Sequence, residues 1–312
     1  MRQVLIALLL AALASLENLD VASAANSISQ RERNLQPLRL LRSSTFPANE
    51  EERNAISSLS IVTKLKDAAK WSTSKISDKT KIGVMRFQGK TADEAFVLLK
   101  LDQAGEKLLE NKQFSVWVSY MTKTNKKHPK TAIVTALAAR YSDERLATML
   151  EAARKVDATS GIATKLQVAH MKVWLRKKTP MDAVLRFLTL DKGVDNLLTN
   201  PSLNSLDTYV RLFNKQNPGK ETSVLKQLMV FYGDEAVSKM LEAAKKEPNT
   251  HAQATAMQTA QFKLWFAEGA KPSRIWKMLN MEKASWSTNP DAQVFRGYLD
   301  YYKLQKAAAE AT

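Results

Sequence analysis

The 312 residues contain no cysteine, and only nine glycines, nine prolines and three histidines. Without cysteine the chain has no disulfide, thiol nucleophile or thiolate metal site. The glycines are scattered, so no glycine-rich loop is present to bind phosphates. The histidines, His128, His170 and His251, lie far apart, and no pair has the spacing of metal ligands. These absences argue against an enzyme, and we predict no catalytic residue, metal or cofactor.

The charge of the chain is strongly basic, with a formal net charge of +16. Basic and acidic residues balance up to Arg53, so the whole excess lies in the remainder of the chain. Such a surface favours acidic partners, nucleic acid or anionic membranes without choosing among them. Hydrophobic residues make up 45% of the chain, which is typical of a folded protein and not of a disordered one.

The first residues, 1–24, have the pattern of a signal peptide. Arg2 supplies the positive charge, residues 4–14 form an apolar core too short to span a bilayer, and Ala22-Ser23-Ala24 resembles a cleavage site. No later segment is apolar enough to cross a membrane, so we predict a secreted protein without membrane insertion. Residues 25–65 are polar and lack sustained periodicity, which predicts a disordered leader and linker.

Two short motifs stand inside this predicted leader. They consist of Arg39, Leu40, Leu41 and Arg42, followed by Glu50, Glu51, Glu52 and Arg53. An R-x-L-R string alone is weak, but its position between a signal peptide and an acidic run is specific. In these motifs the chain resembles the RXLR-dEER effectors of oomycete plant pathogens of the Phytophthora type. The resemblance implies secretion by the pathogen and delivery into the cytoplasm or nucleus of a host plant cell, with the motifs serving translocation or processing.

The rest of the chain repeats itself. Residues 131–155 and 222–246 share many identities 91 positions apart, including Tyr141 with Tyr232 and two Met-Leu-Glu-Ala-Ala runs. A second block recurs three times, at 91–102, 179–191 and 270–282. The third block consists of apolar triplets: Phe114, Trp117 and Tyr120; Leu206, Tyr209 and Leu212; Phe295, Tyr298 and Tyr301. Three-residue spacing places the members of a triplet on one side of a helix.

The repeat period is long enough for several helices per unit, about five. Apolar spacing predicts helices near 91–101, 113–124, 131–139, 143–155 and 160–177, with counterparts later and no strand alternation. We therefore predict an all-α fold, a tandem stack of multi-helix units. The predicted units are 66–155, 156–247 and a shorter third unit, 248–312.

These blocks are similar to the L, W and Y motifs of tandem WY or LWY effectors, a subgroup of the same family. In this interpretation the first unit has Arg86 where later units have tryptophan, and the third unit has no Y block. Aromatic residues at helical spacing predict a structural core. The predicted core positions are Trp117, Tyr141, Trp174, Tyr209, Tyr232, Trp265 and Tyr298. We expect Trp174 and Trp265 to join successive units, as neighbours in a stack do.

The function predicted from these features is that of a binding protein. A stack of helical units offers a long side surface, through which we expect the chain to bind a host plant protein and suppress immunity. The resemblance to LWY effectors implies one specific strategy, recruitment of the host type 2A protein phosphatase. The basic charge leaves an alternative open, a nucleic-acid-binding suppressor of RNA silencing, whose binding would fall steeply with salt.

Overall fold

The computed structural model describes residues 76–283, 286–287 and 289–310. The predicted signal peptide and leader, with both of their motifs, lie outside the described residues. The described helices belong to one compact unit that spans Asp67–Thr312. Within the described ranges every regular element is helical, as predicted, and no helix there is long and apolar enough to cross a membrane.

The α-helices form three consecutive sets with the same order. The first set contains α1 (Asp78–Phe87), α2 (Ala92–Leu98), α3 (Lys112–Thr124), α4 (Pro129–Ala138) and α5 (Asp143–Arg154). The second contains α6 (Asp157–Arg176), α7 (Met181–Phe187), α8 (Ser202–Gln216), α9 (Val224–Tyr232) and α10 (Asp234–Ala244). The third contains α11 (His251–Ala267), α12 (Pro272–Met278) and α13 (Ala292–Glu310). Short 3-10 helices lie at Leu101–Gln103, Gly105–Glu110 and Leu197–Thr199.

The first helix of each set ends in the same turn. The turn contains one residue of positive φ, which is Gly89 (60°), Lys178 (52°) or Gly269 (72°). The amide of the next residue then donates to a carbonyl five positions back; the acceptors are those of Met85, Trp174 and Trp265, at 3.0, 3.0 and 2.9 Å. This bond closes the C-terminus of the helix. It also makes Met85, which is fully buried, the counterpart of the two tryptophans. The expected match with Arg86, which is exposed, is therefore wrong by one residue.

The second helix of each set is shorter than predicted. A capping box at Thr91 and Glu94 starts α2, but the helix ends at Leu98 and not near 101. Shortly after α2, Lys100 has a positive φ of 55°. Thr189 after α7 and Asn280 after α12 also have positive φ, of 55° and 50°. A residue with a side chain rarely adopts this left-handed backbone conformation, and a right-handed helix cannot continue through it, so the helix ends there in all three sets.

Successive sets pack through their long helices. Helix α6 lies against α4 and α5 of the preceding set, and α11 lies against α9 and α10 in the same way. One hydrophobic cluster extends through the second and third sets as far as Tyr298 in α13, and Ala147 in α5 is the one described residue of the first set that belongs to it. The packing of α6 and α11 on the preceding helices positions the polar groups of the junctions described next.

Candidate functional site

The predicted aromatic positions fall into two groups by burial. Trp117, Trp174, Tyr209, Trp265 and Tyr298 are each 1% exposed or less. Tyr141 and Tyr232 are only half-buried. The Tyr232 hydroxyl donates to the carbonyls of Leu190 and Gly193, so this side chain ties α9 to the loop after α7. Burial of the first group provides large apolar area and leaves no ring face free to stack on a ligand.

The tyrosines of α3 and α13 show which triplet positions correspond. The Tyr120 hydroxyl donates to the carbonyl of Lys90, and the Tyr298 hydroxyl donates to the carbonyl of Ala270 at 2.5 Å. Lys90 and Ala270 occupy the same place in the turn after α1 and α11. Tyr120 is therefore the counterpart of Tyr298. Trp117 and Tyr298 are both the middle members of their triplets, so the triplet order pairs them, but this pairing is wrong. Trp117 lies one helical turn before Tyr120 and donates to the carbonyl of Ala92 at 3.0 Å.

The first junction between sets is built on the carboxylate of Asp143, in the first turn of α5. Its Oδ1 atom accepts from the indole Nε1 of Trp174 at 2.7 Å and contacts Nε2 of His170, also at 2.7 Å. Both partners lie on α6 and are buried. Asp143 thus bridges two sets, while the preceding residue, Ser142, caps α5.

The second junction repeats this geometry. The carboxylate of Asp234 in α10 accepts from Nε1 of Trp265 at 3.3 Å. Gln261 takes the place of His170, and its side-chain amide donates to the carbonyl of Asp234 at 3.5 Å. Burial raises the pKa of the Asp234 carboxyl, although the Trp265 bond opposes the shift. The tryptophans therefore contact the preceding set through a hydrogen bond as well as through packing.

His170 is held in a definite protonation state by its surroundings. It is completely buried, and burial lowers the pKa of its imidazole despite the contact with Asp143. If Nε2–H donates to Asp143, the remaining nitrogen, Nδ1, has no hydrogen-bond partner among the described residues. Protonation of Nδ1 would bury an N–H group without an acceptor, which is costly, so the neutral ring is the stable form.

Stability should therefore fall in mild acid. The unfolded chain binds a proton at His170 near pH 6.5, whereas the folded chain binds it only at lower pH. Hence the free energy of unfolding decreases as pH falls below about 6.5, until the folded pKa is passed. We expect His170→Gln, which installs the residue found at position 261, to flatten this part of the profile. Urea unfolding at several pH values would measure it; parallel profiles for the two proteins would contradict the assignment.

A second polar cluster lies at the other end of each junction. Oε2 of Glu151 accepts from Ser205 Oγ at 2.8 Å, from Gln167 Nε2 at 2.9 Å and from Arg154 at 3.1 Å. One repeat later, 91 residues on, Glu151, Arg154 and Gln167 correspond to Glu242, Lys245 and Gln258. Glu242 accepts from Gln258 at 3.0 Å and pairs with Lys245 at 2.7 Å. These glutamates are only 16% and 14% exposed, so each is a mostly buried hydrogen-bond acceptor and not a solvated surface charge.

Several junction residues are not predicted in the sequence analysis, although the sequence contains a pattern that indicates them. Gln167 and Gln258, like His170 and Gln261, are polar residues in the middle of long helices and recur at the same offset as the tryptophans. A recurrent buried polar residue indicates a recurrent hydrogen bond. In the part of the chain that the structure describes, no three acidic or histidine side chains come together as a metal ion would require.

Comparison with known proteins identifies the family. The chain is 33% identical over 225 residues to the RxLR effector protein PSR2 of Phytophthora sojae, covering 71% of this chain and 34% of that protein. It is 33% identical over 208 residues to the RxLR effector protein PexRD25 of Phytophthora infestans, covering 64% of this chain and 66% of the relative. The crystal structure of PcRxLR12 matches with a TM-score of 0.63 and 32% identity, over 82% of this chain and 64% of the other. No protein-family model matches.

The chain belongs to the RxLR effectors. It has the helical fold of a solved member, and it spans about a third of the length of the PSR2 relative. As an RxLR effector the protein is secreted and enters host cells. The motif residues Arg39 to Arg42 and Glu50 to Arg53, which suggested this family, lie outside the described residues, so their role stays a prediction.

Proposed function

We propose that this RxLR effector acts in the plant cell as an adaptor, which binds a host protein through the sides of its helical sets and thereby suppresses immunity. The observation that supports the proposal is the pair of equivalent junctions at Trp174 and Trp265. At each junction the buried tryptophan bonds to an aspartate of the preceding set, and the long helix packs on the two helices before it. A preorganised surface loses little conformational freedom on binding, so it can gain affinity without catalysis.

The partner class that we propose is the type 2A protein phosphatase, whose recruitment is one strategy that the resemblance to tandem LWY effectors implies. In this reading the effector would redirect an existing host enzyme, and it would need no catalytic residue of its own. The named relatives are effectors and none is named as an enzyme, which agrees with this reading.

Co-purification from plant tissue tests the proposal. We expect the protein to enrich one host protein reproducibly, together with phosphatase subunits if the partner class is right. The variant Trp174→Ala serves as a matched control, because it disturbs the junction and leaves the surface charges in place. Recovery of no host protein above background would contradict the adaptor function. Recovery of RNA that is lost steeply as salt rises would instead support the alternative of a nucleic-acid-binding suppressor.

A further inference from the structure

Two grooves lie on either side of the loop that joins α3 to α4. The first, of about 940 Å³, is lined by the turn after α1, the start of α2, the end of α3 and helix α4. The second, of about 470 Å³, lies between the start of α4 and the middle of α6. Lys127 and His128 line both grooves, so the loop forms a ridge between them.

The rims of the grooves carry an excess of positive charge. The basic lining residues are Arg86, Lys90, Lys126, Lys127, Lys130, Lys165 and Lys172. Lys90 pairs with Glu94 at 3.5 Å, and the one acidic lining residue, Asp93, pairs with Arg140 at 2.9 Å. Lys126, Lys127 and Lys130 are exposed and form no ion pair with any described residue. The local field therefore attracts an anionic group, and no acidic side chain of the grooves opposes it.

This charge does not follow from the repeat. In the second set the loop between α8 and α9 occupies the equivalent place; Asn125 and Asn217 end α3 and α8 in the same way, so Lys126 and Lys127 correspond there to Pro218 and Gly219. Lysines near the C-terminus of a helix can interact favourably with its dipole, but the equivalent loop follows α8 without a lysine at either of these two positions. The first loop therefore carries positive charge that the repeated fold does not require.

The floor of the larger groove decides the class of partner. This name refers to the small or apolar lining side chains, among them Ala92 in α2, Met121 in α3, and Ala132 and Ala136 in α4. The aromatic ring that lines it, Tyr120, is 2% exposed and bonded to the Lys90 carbonyl, so it offers no face for stacking a base. Nucleic acid gains little from an apolar floor, whereas a peptide with apolar side chains buries them there.

We infer that these two grooves bind an acidic segment of a host protein that carries apolar residues, with the carboxylates on Lys126, Lys127 and Lys130 and the apolar side chains against α3 and α4. The inference rests on the proposed adaptor function and assigns its partner surface. Charged rims steer the encounter, and the apolar floor supplies affinity that is less sensitive to salt.

A fluorescently labelled peptide of about ten residues, alternating leucine pairs with glutamates, is the probe. Anisotropy with the purified protein should show saturable binding, and the same peptide with glutamine for glutamate should bind at least about tenfold more weakly. The double variant Lys126→Glu with Lys127→Glu should weaken binding of the acidic peptide by at least about tenfold. Lys220→Glu, an exposed lysine in the equivalent loop of the second set, is the matched control and should change little.

A second variant tests the contribution of the apolar floor separately from that of the charged lysines. Ala136→Phe adds a ring to the larger groove without changing charge, and it should also abolish peptide binding. An unchanged circular dichroism spectrum and thermal midpoint would show that each variant is folded. Equal weakening by Lys220→Glu, or no effect of Ala136→Phe, would overturn the inference in favour of unspecific charge.

Duplex RNA binding that is steeply salt-dependent and insensitive to Ala136→Phe would assign the charge to nucleic acid. Self-association lost in the double variant would assign the grooves to a second copy.

The same variants distinguish this inference from the proposed function. If the double variant and the original protein recover the same host protein from plant tissue, the adaptor function stands and the groove assignment fails. If the peptide binds as expected but neither protein recovers a host protein, the preference of the grooves for an acidic, apolar peptide stands and the adaptor function fails.

Discussion

Replacing Trp174 with alanine is expected to lower the free energy of unfolding by about 3–5 kcal/mol. The ring is 1% exposed and lies 5.4 Å from Phe187 and 6.1 Å from Tyr209, measured between ring centroids. Its removal leaves a cavity in a continuous core and leaves Asp143 without one of its donors. Both effects act in the same direction, and urea unfolding followed by circular dichroism would measure their sum.

Trp265→Ala is the matched control for this prediction. Trp265 occupies the equivalent position and packs 5.3 Å from Tyr298, but its bond to Asp234 is longer, at 3.3 Å. Because contacts in a stack reach mainly neighbouring sets, hydrogen exchange should show the largest loss of protection in α5–α8 for Trp174→Ala. The loss for Trp265→Ala should be largest in α10–α13. Uniform loss of protection along the described residues in both variants would contradict a junction role and indicate one cooperative unit.

The sequence predicts the repeated helices well because their signals are local. The apolar spacing of 113–124 and 143–155 matches α3 and α5 within a residue. The offset between Trp174 and Trp265 likewise corresponds to a true equivalence, seen in the identical turns that follow them. In α1 no tryptophan marks the equivalent position in the sequence. Met85 takes its place there, and its unbranched side chain fills the same buried position.

Register within the triplets is a harder problem. Residues three apart lie on the same side of a helix, so Trp117 and Tyr120 fit the pattern equally well. The choice is made by a long-range hydrogen bond, from the tyrosine hydroxyl to the turn that precedes α2 or α12. Periodicity carries no information about that bond, which explains why the alignment was wrong by one helical turn.

The basic grooves cannot be predicted from the periodicity of the sequence. Lys126 and Lys127 are adjacent in sequence and readily found, but Arg86 and Lys172 reach the same region only through the packing of α1 and α6. The apolar floor combines residues of α2, α3 and α4. A surface of this kind becomes visible only when the distances between helices are known.

Asp143→Ala is expected to lower the free energy of unfolding by about 2–4 kcal/mol, because it leaves two buried donors without an acceptor. Those donors are the indole N–H of Trp174 and the Nε2–H of His170, each 2.7 Å from the same carboxylate oxygen. Asp143 also lies in the first turn of α5, where a negative charge contributes a further ~0.3–1 kcal/mol.

The chain offers two controls for this substitution. Asp234→Ala removes the acceptor of a single side-chain donor, so the expected loss is smaller, about 1–2 kcal/mol. Asp143→Asn keeps an oxygen that can accept from the same donors, and should retain part of the lost stability. Equal losses for Asp143→Ala and Asp234→Ala would mean that the His170 contact contributes nothing. A larger loss at position 143 would show that the first junction is held more firmly than the second, because one carboxylate there bonds two residues of the following set.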